Sequence, residues 1–171
     1  MSRTRSAVLT AALLVTALLA AGCGVSSRDS ADKVQGVQQL NFTAQTLDGQ
    51  KFAGKSLLGK PAVLWFWAPW CPKCAQEAPG VARVSKQNQN AVRFVGVPAQ
   101  DSVPAMKRFV QQHELGSFDQ LADTDASVWR RFGVTAQPAF AFVRPDGQVA
   151  VVKEELSEAQ LRERVQQLIA R

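Results

Sequence analysis

Ala62 to Trp67 reads AVLWFW, six apolar residues without a break. A strand with one wet face alternates apolar and polar positions. An unbroken run of this length belongs instead in the middle of a sheet covered on both faces. Covering two faces takes layers on either side, which confines the chain to a layered α/β architecture. The flanking segments supply those layers. Pro72 to about Gln87 reads as a helix, and Val92 to Val97 (VRFVGV) as a second buried strand. Ser102 to Leu115 is helical, with Val103, Met106, Phe109 and Val110 on one stripe. Asp125 to Phe132 forms a short helix that Gly133 ends. Ala139 to Val143 and Gln148 to Val152 are strands joined by the turn Arg144-Pro145-Asp146-Gly147. Ser157 caps a last helix that buries Leu161, Val165, Leu168 and Ile169. Ahead of all this, Leu40 to Phe52 reads as a β-hairpin about Asp48-Gly49. The order is β-hairpin, βαβα, β-hairpin, α, which predicts a mixed central sheet with helices on both faces.

Composition bounds the rest. With 171 residues, 46% hydrophobic and 20% charged, the chain suits one globular domain and is not disordered. Three cysteines are too few for a disulfide scaffold, and the single histidine, His113, rules out a His-rich metal cage. The net charge of +6 is scattered and forms no basic stripe, so no nucleic-acid partner is expected. His113, among Gln111, Gln112 and Glu114, reads as a solvated surface residue.

The first residues read as a targeting segment. Arg3 and Arg5 precede the uncharged apolar run Ala7–Ala21, which is short for a membrane span and fits a secretory signal. Leu19-Ala20-Ala21-Gly22-Cys23 resembles a bacterial lipobox, although Ala20 stands where leucine is usual. That resemblance implies cleavage after residue 22 and a lipid on Cys23. The alternative is an ordinary signal peptide cut near Ala21, with Cys23 an unused thiol. Residues 23–39 are polar and read as a flexible tether holding the domain, residues 40–171, off the membrane.

The chemistry concentrates at Trp70-Cys71-Pro72-Lys73-Cys74. A zinc site would need two more ligands, and neither a second C-x-x-C nor a histidine pair exists. A redox pair fits better. The motif falls between a buried strand and a helix, where free N–H groups and the macrodipole favour an anion. Cys71 is expected exposed at that helix terminus with a lowered pKa. Pro72 suits the first helical turn, and Lys73 adds a cation beside both sulfurs. Cys74 lies one turn on, close enough to close a disulfide. A merely structural disulfide is the plainer alternative, but so small a loop constrains the unfolded chain little.

Trp67-Ala68-Pro69-Trp70-Cys71-Pro72-Lys73-Cys74 resembles the active site of thioredoxin-fold proteins. Pro79 matches the kink-forming proline of their active-site helix, and Gln137-Pro138 the proline that is cis in that family and faces the disulfide. Cys74-Ala75-Gln76-Glu77-Ala78-Pro79 resembles the C-x-x-E-x-P pattern of the membrane-anchored TlpA/ResA-like branch, and nearly all of Leu40 to Arg171 is similar to mycobacterial secreted DsbE/DsbF-type lipoproteins. The resemblance implies a thioredoxin fold with an N-terminal β-hairpin extension and an extracytoplasmic thiol-disulfide oxidoreductase without cofactor or metal. Cys71 and Cys74 would be catalytic. Trp70, Pro72, Lys73, Gln137 and Pro138 would contact substrate. One departure stands out: cytoplasmic thioredoxins carry a buried Asp six residues before the first cysteine, and Trp65 holds that place here. Glu77 either takes over proton handling near Cys74 or is simply an acid favoured early in a helix.

The implied partners are exported proteins with cysteine pairs, and a quinone-linked membrane oxidase or a reductase for recycling. Thiolate-stabilising features make the disulfide oxidising, which favours an oxidase at the outer face of the cell membrane. Two alternatives stand beside it: a ResA-like reductase serving cytochrome c maturation, and a copper-binding lipoprotein on the same fold. Copper-delivery relatives use a wider C-x-x-x-C and a distal histidine, for which His113 is the sole candidate. A peroxidase fits poorly, since that branch sets its reactive cysteine in different surroundings.

Overall fold

The computed structural model describes residues 25–170. The apolar segment 7–21, the expected cleavage point and Cys23 lie outside the described residues. The elements in chain order are α1 (Val25–Gln39), β1 (Thr43–Gln45), β2 (Lys51–Ala53), a 3-10 turn (Gly54–Leu57), β3 (Ala62–Trp67), α2 (Pro72–Gln87), β4 (Arg93–Pro98), α3 (Val103–Gln112), β5 (Asp119–Gln120), α4 (Ser127–Arg131), β6 (Ala139–Val143), β7 (Val149–Val152) and α5 (Glu158–Ile169). β1 and β2 form the expected hairpin. The other five strands make one sheet in the order β5-β4-β3-β6-β7. β4 runs parallel to β3 and β5, whereas β6 is antiparallel to both β3 and β7.

Every residue of β3 is buried, as its unbroken apolar run requires. Val63, Trp65 and Trp67 face one side, where α2, α3 and α5 bring Val81, Val84, Met106, Phe109, Leu161 and Val165. Leu64 and Phe66 face the other, against Leu40, Phe52, Leu57 and the α4 residues Val128 and Trp129. Trp129 anchors α4 through its indole N–H, which donates to the Val97 carbonyl at 2.7 Å.

Three features depart from expectation. The segment read as a flexible tether is α1, which docks against β7 and the turn before it. Gly36 makes this possible: a Cβ there would overlap the Gly147 carbonyl oxygen, so only glycine allows the two backbones to meet. Arg131 and Gln148 then donate to the carbonyls of Gln38 and Asp29. Such docking rests on backbone groups and leaves no apolar stripe to read. Secondly, β5 is only two residues long and joins the sheet edge beneath the hairpin, where Leu47 N–H donates to Gln120 O at 2.7 Å. Finally, His113 is half-buried rather than fully exposed, its ring tilted on Phe109 at 4.3 Å between centroids.

Candidate active site

β3 ends at Trp67, and Cys71 follows after three residues as the N-cap of α2. Its backbone is extended and its sulfur accepts the Cys74 N–H at 3.1 Å. Pro72 occupies the first helical position, where its missing N–H costs no hydrogen bond. Cys71 and Cys74 are joined as a disulfide, with Cα atoms 5.2 Å apart. The pair is less open than expected, since Cys71 is only 4% exposed. Cys74 is wholly buried, so a reagent from solvent meets the Cys71 sulfur first.

The rim of the site comes from three segments. Trp70 is 54% exposed, and its indole N–H donates to the Gln100 carbonyl at 3.2 Å. Gln100 itself sits in the left-handed region, with φ 62°. The Gln137–Pro138 peptide bond is cis. Ala139 pairs with Phe66, so these two residues enter β6 at the same end of the sheet from which Cys71 departs. Pro138 is buried and Gln137 half-buried. Lys73 is turned outward, its ammonium 3.8 Å from the Glu155 carboxylate.

Beneath the disulfide, one helical turn beyond Cys74, lies Glu77. It is buried, and it is held from two directions: Trp65 Nε1 donates to Oε2 at 3.0 Å, and the Leu156 backbone N–H donates to Oε1 at 2.6 Å. Burial pushes its pKa up from 4.5 to about 7, against the pull of those two donors. Glu155 pushes it further up, and the Lys73 ammonium offsets part of this. Glu77 is therefore no solvated acid of a first helical turn. Trp65, which replaces the usual buried Asp, is the residue that holds it. Trp65 in turn stacks on Trp67 at 5.7 Å, and Trp67 on Phe109 at 4.4 Å. The apolar run of β3 places both tryptophans in a buried strand but does not reveal this hydrogen bond. The signal was there in part, because a buried indole N–H calls for an acceptor. The Leu156 donor lies 79 residues away and had none.

A model of the AhpC/TSA family matches residues 36–152. The chain belongs to the AhpC/TSA family. Its thioredoxin fold is shared by the solved structure of MTB DsbF in mixed oxidised and reduced forms, at 57% identity and a TM-score of 0.75, covering 77% of this chain and 97% of that one. The soluble secreted antigen MPT53 of Mycobacterium bovis is 51% identical over 110 residues, covering 64% of this chain and 62% of the relative's own length. The thiol-disulfide oxidoreductase ResA of Bacillus thuringiensis is 30% identical over 130 residues, covering 75% of each chain.

Proposed function

We propose that the chain is an extracytoplasmic thiol-disulfide oxidoreductase that oxidises cysteine pairs of exported proteins. The observation that carries this reading is the asymmetry of the pair: a helix-capping Cys71 that keeps 4% of its surface exposed, bonded to a Cys74 that keeps none.

A substrate thiolate attacks the Cys71 sulfur, forming a mixed disulfide and expelling the Cys74 thiolate. That thiolate is buried and must be protonated. Glu77, with a pKa near 7, holds a proton at hand for it at neutral pH. The second thiolate of the substrate then attacks its own sulfur in the mixed disulfide. Cys71 leaves as a thiolate, stabilised by the N–H groups and dipole at the start of α2. One substrate dithiol becomes a disulfide and one enzyme disulfide becomes a dithiol. Trp70, Pro72 and Lys73, together with the backbone at Gln137–Pro138, form the rim on which an extended substrate rests. A lipid on Cys23 would hold the domain at the outer face of the membrane, where a quinone-linked oxidase could return it to the disulfide form.

The likeness to ResA and the shared C-x-x-E-x-P pattern favour a second reading, a reductase run in the opposite direction. The reduction potential separates them. The oxidase reading expects a value above about −200 mV, and a value at or below about −270 mV, that of thioredoxin, overturns it for the reductase.

A further inference from the structure

Away from the disulfide, α1, α4 and β7 enclose a cleft of about 420 Å³. Arg130, Arg131 and Lys153 stand on its walls, with the side chains of Gln35 and Gln39 along the α1 side. Asp32 is the one acidic residue of the lining. Among the described residues none of the three cations makes an ion pair within 4 Å. The guanidinium contacts are with backbone: Arg130 Nη1 donates to Asp125 O at 2.6 Å and Arg131 Nη1 to Gln38 O at 3.1 Å. The Asp125 carboxylate feels Arg130 but lies outside the lining. Arg83, Arg162 and Arg93, by contrast, are matched by Glu158 and Asp119.

We propose that this cleft seats the phosphate of an anionic lipid headgroup. Two guanidinium groups and an ammonium around one concavity suit a phosphate, whose oxygens accept several charge-assisted hydrogen bonds at once. The amides of Gln35 and Gln39 extend that donor set to the neighbouring ester or hydroxyl oxygens. A lipid is favoured over a free ion by the chain's own course. α1 forms one wall, and Val25, where the described chain begins, lies about 15 Å along that helix from Gln35. Two residues before it stands the lipobox-like Cys23, the expected point of lipid attachment. A bilayer holding that end is within one helix length of the cleft. The inference rests on the envelope location proposed above, but not on any thiol chemistry.

The test uses the full chain in phosphatidylcholine vesicles, with and without phosphatidylglycerol, followed by amide hydrogen exchange. The N-terminal segment is present in both lipids, so only headgroup contact differs. Exchange at residues 35–39 and 130–133 should slow at least fivefold in the anionic vesicles. This protection should vanish in R130Q/K153Q and survive in K55Q/K60Q, which removes the same charge from the exposed loop around the 3-10 turn. Unchanged exchange in β3 verifies that each variant is folded. Equal exchange in the two lipids, or equal loss in both variants, overturns the site. Protection by millimolar inorganic phosphate in pure phosphatidylcholine, matching that in anionic vesicles, overturns the lipid as its source. Thiol turnover is not read at any point, so failure here leaves the redox proposal standing.

Discussion

At the residue scale the site divides labour between a sulfur that reacts and a carboxyl that holds a proton. Cys74→Ser should accumulate mixed disulfide with a disulfide-bearing substrate, because its Cys71 thiolate attacks that disulfide, releases one substrate thiolate and has no Cys74 to resolve the product, whereas Cys71→Ser should form none. Mass spectrometry of acid-quenched reactions reads both, and equal trapping by the two variants would refute the asymmetry of the pair. Glu77 makes a prediction about pH. Its folded pKa, about 7, exceeds its unfolded value of 4.5, so the folded state binds more protons between those values. Below pH 4.5 both states are protonated and the group is neutral in the balance. As pH rises from 4.5 through 7, stability falls, by about 3 kcal/mol in all if the full shift applies. Glu77→Gln removes this titration but keeps only one acceptor oxygen, so either Trp65 or Leu156 loses its partner at every pH. The oxidised variant should therefore start below wild type in urea near pH 4.5 and lose less stability than wild type between pH 4.5 and 8; parallel pH profiles would refute the assignment.

At the scale of elements, what was legible depended on whether a segment announces itself by apolar pattern. β3, α2 and β6 carry their boundaries in AVLWFW, in Cys71-Pro72, and in the apolar run after Pro138. The CxxC pair and its helix terminus were legible for the same reason, being local in sequence. β5 was hidden because two residues have no periodicity to show. α1 was hidden because it docks through backbone at Gly36, with hardly any apolar face. That docking is testable. Gly36→Ala sets a methyl on the Gly147 carbonyl, which must displace α1 while leaving the two buried faces of β3 untouched. Amides of residues 33–40 should lose exchange protection by tenfold or more, with the β3 and β4 amides unchanged. A second element test concerns α5. Ser157 and Gln160 form a reciprocal capping box, so Ser157→Ala should cost about 1 kcal/mol in urea unfolding.

At the scale of the whole molecule, the disulfide is part of the stability balance, and the direction of catalysis can be read from it. Folding and reduction form a closed cycle. The difference in unfolding free energy between the reduced and oxidised protein therefore equals the difference in reduction potential between the folded and unfolded cysteine pair. The structure offers the reduced state something an unfolded chain lacks: a helix start aimed at Cys71, with the Cys74 N–H already directed at its sulfur. The oxidised state has no thiolate to profit from these groups. If the oxidase reading is right, the reduced protein is the more stable of the two, and each 30 mV by which the folded pair exceeds the unfolded one adds about 1.4 kcal/mol. Thermal or urea unfolding of the two forms at pH 7 should place the reduced midpoint higher. A higher oxidised midpoint would mean that the fold protects the disulfide more than it protects the thiolate. The helix terminus would then serve a reductase, whose Cys71 attacks first and whose Cys74 resolves.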